Sequence, residues 1–206
     1  MEYVSSDMKL LPYGMMNFED IRLDNYYYVD KTSFIPLIER SDRYFFFIRP
    51  RRFGKSLTLN MLQHYYDVRT RDKFDALFGD LYIGKHPTDD RNSYLVLYLN
   101  FSGINGELHN YRSGLDAHCG ITFENFCKIY AEYLPQDTLE GLCAAKGAVE
   151  QLDFSIRYVP VQARRYISSL MSMTTSQTPS SPTPTACADI PKRRTRKVIC
   201  APFLTR

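Results

Sequence analysis

The chain has 206 residues, enough for one domain with a sizeable core. Its 44% hydrophobic and 24% charged residues are ordinary for a globular protein, and no apolar run approaches the ~20 residues that cross a bilayer as a helix. The formal charge of +3 arises at the end of the chain: residues 168–206 hold six basic residues and one acid, leaving 20 basic and 22 acidic residues before them, so the body is not a polycation built for nucleic acid.

Met1 to Leu11 carries acidic and polar residues without an apolar h-region. No signal peptide is expected there, and the cytoplasm is the default location. The five cysteines (Cys119, Cys127, Cys143, Cys187, Cys200) are odd in number and lack CxxC spacing, so neither a zinc site nor a disulfide framework is expected. Cys119 and Cys127, beside His118, read as buried free thiols.

In chain order, residues 12–33 open as an aromatic, loop-rich segment containing Tyr28-Val29-Asp30-Lys31-Thr32. Thr32 or Ser33 is expected to cap a short helix whose apolar face is Phe34, Ile35, Leu37 and Ile38. Tyr44–Ile48 is short, continuous and aromatic, which predicts a buried strand ended by Arg49-Pro50. A helix follows from Lys55, with Leu57, Met61, Leu62 and Tyr65 at helical spacing. Phe74, Leu77 and Phe78 predict a short helix closed by Gly79, and residues 83–93 a loop. Tyr94–Phe101 predicts a second buried strand, and Ile121–Leu134 and Leu139–Leu152 predict helices. After Ile167 the chain turns Ser/Thr/Pro-rich, then basic at Lys192–Lys197.

The strand–loop–helix around Gly54-Lys55-Ser56 carries the chemistry. A phosphate-binding loop converges backbone N–H groups on anionic oxygens at the positive end of a helix. In the pattern G-x-x-x-x-G-K-[ST], the lysine reaches the β- and γ-phosphates and the hydroxyl holds Mg²⁺. Here the octet is Arg49-Pro50-Arg51-Arg52-Phe53-Gly54-Lys55-Ser56, with Arg49 where the first glycine is usual. Residues Arg51, Arg52, Phe53, Gly54, Lys55, Ser56 and Leu57 are the expected ATP-binding set, with Ser56 as the Mg²⁺ ligand. Arg51 and Arg52 read either as added charge beside phosphates or as solvated surface arginines. Hydrolysis also needs an acid at the end of a second strand to hold Mg²⁺. The strand Tyr94–Phe101 runs into Asn100-Phe101-Ser102 without one, so no catalytic residue is assigned.

Tyr13-Gly14, Tyr28-Val29-Asp30-Lys31-Thr32 and above all Arg49–Leu57 resemble the AAA-ATPase-like proteins of gut bacteria and other anaerobes; Leu77-Phe78, Ile83-Gly84 and Asn100-Phe101-Ser102-Gly103 fit the same pattern. The likeness covers about residues 9–165. It implies a longer ATPase with a Walker B strand of the type LIDEYD, often followed by a PD-(D/E)XK nuclease-like domain, through which alone a nucleic-acid partner would be implied. It also implies that Gly54, Lys55 and Ser56 hold the triphosphate and Mg²⁺. No acid here matches the Walker B position. Codons for Ser168–Thr174 can be chosen so that the frame one base earlier spells LIDEYD, only its last residue being forced. A frameshift near Ile167 is therefore expected; the rival reading is a genuine disordered tail whose basic cluster meets nucleic acid or membrane.

The expected fold is α/β, a P-loop NTPase-like three-layer parallel sheet, incomplete, with residues 1–167 as the P-loop domain and 168–206 as a disordered tail. The leading functional expectation is ATP binding without efficient hydrolysis, with nucleotide as partner and no membrane partner. A non-enzymatic module that contacts a protein or nucleic acid through the basic turn and the aromatic N-terminus is the alternative. A fragment without stable function is the third reading.

Overall fold

A computed structural model describes residues 8–41, 44–48, 53–100, 111–159, 166–171 and 196–201, the last two segments as backbone only. These residues fall into two compact units. One joins the chain up to Ser41 with Arg51–Tyr94; the other joins Asp42–Pro50 with the chain from Leu95 onward.

The first unit is helical. α1 (Phe18–Leu23) starts where the Asn17 side chain accepts from the Glu19 N–H at 3.1 Å, a side-chain N-cap. A 3-10 turn (Thr32–Phe34) leads into α2 (Ile35–Arg40). α3 (Lys55–Tyr66), a second 3-10 segment (Val68–Lys73), α4 (Phe74–Phe78) and α5 (Tyr82–Lys85) follow. α1 packs on α3 and α4, burying Phe18, Ile21, Leu77 and Phe78 completely. The Phe18 ring lies 5.0 Å from Phe78 and meets Tyr28 edge-on at 5.2 Å, a favourable aromatic arrangement.

Several expectations are corrected here. Of the expected apolar face of α2, Ile35 and Ile38 are buried, while Phe34 and Leu37 are exposed. Neither Thr32 nor Ser33 caps it; the Asp30 carboxylate accepts from the Thr32 N–H and hydroxyl, because two-residue spacing suits an Asx turn. Residues 82–85, read as loop from Ile83 on, form α5, with Ile83 fully buried as its anchor. Leu59 joins the buried face of α3, and Leu57 is only half-buried. α4 ends at Gly79 as expected.

In the second unit, β1 (Tyr44–Phe46) and β2 (Leu95–Asn100) are followed by α6 (Tyr111–Ile129), α7 (Gln136–Ala144), α8 (Gly147–Arg157), β3 (Tyr166–Met171) and β4 (Arg196–Ala201). The strands pair in parallel in the order β1-β4-β3-β2. Tyr44 stands opposite Val198, Leu95 opposite Tyr166 and Tyr166 opposite Arg196. β2 is buried at Leu95, Val96, Leu97 and Leu99, the near-continuous apolar run of a strand covered on both faces. β1 is shorter than the expected Tyr44–Ile48, and Ile48 is exposed. α6 packs on β2 and α8, and the Tyr130 hydroxyl accepts from the Val96 N–H at 3.2 Å. α6 begins ten residues before the expected Ile121. The expected Leu139–Leu152 helix is two helices, broken where Gly147 takes a φ of +81° and the Asp116 carboxylate accepts from the Ala148 N–H at 2.7 Å. Most of β3 and all of β4 lie within 168–206, where the composition predicts disorder; the Val198-Ile199-Cys200 run suits a strand.

Cys119 and Cys127 are buried free thiols, as read, and Cys143 is an exposed one. Burial, aided by the Cys143 thiol, pushes the Cys127 thiol up to about 12. Among the described residues no helix is long and apolar enough to cross a membrane.

Candidate phosphate-binding site

The site is built at the start of α3. Gly54 is its N-cap, with φ 71° and ψ 24°, a left-handed conformation that glycine adopts without the Cβ penalty. That dihedral turns the chain sharply from Phe53 into the helix. The Gly54 carbonyl accepts from the Thr58 N–H and from the Thr58 hydroxyl, both at 2.9 Å, which closes the first turn. Gly54 has no side chain with which to cap the helix, and the first turn holds no acid. An α-helix leaves its first N–H groups without intrahelical partners and carries partial positive charge there. The N-cap residue itself supplies no carboxylate or hydroxyl to compensate them.

The side chains at this end are cationic. Lys55, the first helical residue, is only 4% exposed. Burying an ammonium is costly unless oxygen acceptors face it. Ser56 and Leu57 are half-buried, and Phe53 is 60% exposed. Arg51 and Arg52 lie outside the described residues, as do Arg49 and Pro50. α3 is held in place from behind, where the Asn60 carboxamide oxygen accepts from the Phe18 N–H at 2.6 Å.

A further cation, missed in the sequence reading, comes from the Tyr28–Thr32 segment. The Lys31 ammonium lies 3.3 Å from the point where a β-carbon on Gly54 would sit. Its neighbours are fixed. Asp30 accepts from the Thr32 N–H at 2.8 Å, the Thr32 hydroxyl at 2.7 Å and the Tyr82 N–H at 2.8 Å. The fully buried Thr32 hydroxyl accepts in turn from the Ile83 N–H at 3.1 Å. Burial works to raise the Asp30 pKa, but these hydrogen bonds outweigh it and hold the carboxyl below its usual value. The signal that reveals this arrangement is the Asp-x-Thr spacing, whose consequence for Lys31 is visible only in three dimensions.

A tight left-handed glycine, a buried lysine and an acid-free helix start are the features of a phosphate-binding loop. Comparison with known proteins gives the family. The family described as AAA-ATPase_like, Predicted AAA-ATPase, matches residues 12–170, and the chain belongs to it. The chain is also similar to a curated protein of Azotobacter chroococcum mcd 1 described as "Uncharacterized protein in vnfD 5'region", with 57% identity over 56 residues. That stretch is 26% of this chain and 11% of the relative, so the chain spans about a tenth of the relative's length. No solved structure matches the chain.

Proposed function

We propose that this chain binds ATP with Mg²⁺ at Phe53–Leu57. The observation that carries the reading is the start of α3, where left-handed Gly54 as N-cap and buried Lys55 open a helix with no acid in its first turn. The donor set fits a polyphosphate: backbone N–H groups and an ammonium suit anionic oxygens. Lys55 would meet the β- and γ-phosphates, and the Ser56 hydroxyl would hold Mg²⁺, which when bound neutralises charge on the phosphate oxygens. Arg51 and Arg52 would add charge beside them. Membership of a family of predicted AAA-ATPases supports the reading at the level of nucleotide binding. The parallel pairing of β1 to β4 supports a P-loop NTPase-like α/β fold, in which ligands sit beyond the carboxyl ends of the strands.

Hydrolysis is proposed to be inefficient. It requires oxygen anions to hold the metal and orient water, and β2, β3 and β4 contain no Asp or Glu. The deciding experiment is isothermal titration calorimetry of the full chain with Mg²⁺-ATP. Wild type is expected to bind and Lys55→Ala to lose at least about tenfold in affinity, the value of one charge-assisted contact. Unchanged binding by Lys55→Ala refutes the site.

The exposed side chains of Met8, Leu10, Leu11 and Tyr13 favour a second reading, a module that contacts a partner through its N-terminal segment. Partner binding that persists without nucleotide or Mg²⁺, in a chain that does not bind ATP, would select it.

A further inference from the structure

We infer that Lys31 is a second phosphate-binding lysine, delivered to the loop from the Tyr28–Thr32 segment; the inference rests on the nucleotide-site reading above. Three observations carry it. The ammonium stands at the side of Gly54 where any other residue would carry its side chain, 3.3 Å from the would-be β-carbon. The backbone on either side of Lys31 is pinned by Asp30 and Thr32 to the Tyr82 and Ile83 N–H groups at the start of α5, so the base of the lysine side chain is fixed. Among the described residues Lys31 makes no ion pair, and the Asp30 carboxylate beside it is occupied by N–H and O–H donors.

Electrostatics then decides the role. A surface lysine gains little from its position and is ordinarily free to extend into solvent. This one is set beside the positive end of the twelve-residue α3, next to a glycine followed by a second lysine. Like charge beside a helix N-terminus is unfavourable. An anion bound at Gly54–Ser56 reverses the sign of every one of these interactions. The ligand class is a polyphosphate: two ammonium groups and the backbone donors offer more positive charge than a single carboxylate would neutralise. Lys31 would contact phosphate oxygens, leaving the nucleoside to other parts of the protein. Its role is binding, with no part in bond breaking.

The test uses the full chain and two ligands, Mg²⁺-ATP and inorganic tripolyphosphate, titrated calorimetrically at two salt concentrations. Lys31→Gln is expected to weaken both by about tenfold, the effect of one charge-assisted contact, and to reduce the salt dependence of binding. Lys31→Arg, which keeps the charge, is expected to stay within about threefold of wild type. Without ligand, neither variant is expected to melt below wild type, and Lys31→Gln, which removes charge beside the helix start, is expected to melt at the same temperature or slightly higher. If Lys31→Gln binds like wild type while Lys55→Ala loses binding, the Lys31 inference is overturned and the site stands. If Lys55→Ala also binds like wild type, the site reading itself fails. If Lys31→Gln and Lys31→Arg lose affinity equally and both melt lower, Lys31 is a packing residue and the inference is overturned.

Discussion

Gly54 separates the conformational demand of the loop from its chemical demand. At φ 71° and ψ 24° a residue with a β-carbon costs about 1–2 kcal/mol relative to glycine. Asparagine tolerates this region better than alanine, and a β-branched residue tolerates it worst. The added β-carbon would lie 3.3 Å from the Lys31 ammonium, the far end of a flexible side chain, which can yield by a few tenths of an ångström. The steric contribution to stability is therefore small, and backbone strain sets the order: Gly54 wild type, then Gly54→Asn, Gly54→Ala and Gly54→Val. With a urea m-value of about 2 kcal/mol/M, Gly54→Ala should lower the midpoint by roughly 0.5–1 M. Affinity should follow a different order, because any side chain occupies the space between Lys31 and the helix start. Gly54→Asn should retain most of the stability and lose nucleotide binding as fully as Gly54→Ala. Urea unfolding followed by far-ultraviolet circular dichroism, paired with calorimetric titration of Mg²⁺-ATP, reads both quantities. Equal midpoints for glycine and alanine would refute the left-handed geometry. Wild-type affinity in Gly54→Asn would refute the crowding argument.

Gly84→Ala should be far more damaging than an average surface change, because its β-carbon would stand 1.9 Å from the Phe78 carbonyl oxygen and 2.9 Å from the Gly79 Cα, backbone atoms that cannot rotate away. A loss of about 3 kcal/mol is expected in urea unfolding, at the upper end of overpacking costs, and a loss under about 0.5 kcal/mol would contradict the packing of α5 against the end of α4. His64 supplies a pH dependence. Burial lowers its pKa, the opposing pull of Glu19 and Asp67 being smaller and Lys73 and Arg69 pushing the same way as burial. Its Nδ1 is buried without a hydrogen-bond partner among the described residues, and its Nε2 lies 4.0 Å from Glu19. The unfolded chain then binds more protons below about pH 6.5, so the His64 contribution is complete above that pH and is lost as pH falls through the folded value. Unfolding midpoints should drop between pH 7.5 and 5.5 in wild type and drop less in His64→Gln; parallel profiles would refute the assignment.

The parts of the fold that could be read in advance are those with one dominant signal. Lys55 begins α3 because a glycine able to turn precedes a run of helix formers, and Phe74, Leu77 and Phe78 define α4 by spacing alone. The later part of α6 shows its period in Phe123, Phe126 and Cys127, all buried, with buried Tyr130 just beyond its end. Its first ten residues were illegible because Gly114 and Gly120 lower helix propensity where the apolar pattern is weakest. The break between α7 and α8 was hidden for the opposite reason. Apolar residues recur through Leu139–Leu152 as if uninterrupted, and extended Ala145 and Lys146 with left-handed Gly147 divide them. β4 is hard to read from sequence because its apolar run, Val198-Ile199-Cys200, is only three residues long and follows directly on the basic Arg196-Lys197. At the site, Gly54 and Lys55 were legible from local pattern. Lys31 was not: it lies 23 residues before Gly54, and only the hydrogen bonds of Asp30 and Thr32 to α5 bring its ammonium to the loop.

Charge distribution separates the nucleotide reading from the nucleic-acid one. Binding a nucleic-acid backbone requires many cations spread along a face, each releasing counterions, and gives steep salt dependence. The chain before residue 168 carries 20 basic and 22 acidic residues, so it has no overall positive field. Its surface pairs acids with bases, as in Lys73–Glu19, Lys128–Glu124 and Arg157–Asp153. Among the described residues of the first unit, Lys31 makes no ion pair and stands beside Gly54, where α3 opens without an acid in its first turn. A local concentration of this kind favours a compact ligand with several charges on a few atoms. It gains little from an extended polymer, whose remaining phosphates would face a surface of mixed or negative sign. The predicted contrast is tripolyphosphate binding that depends on Lys31 and Lys55 together, with weak affinity for single-stranded nucleic acid. The converse result, tight nucleic-acid binding unaffected by either lysine, would place the functional surface elsewhere and remove the reason for an acid-free start to α3.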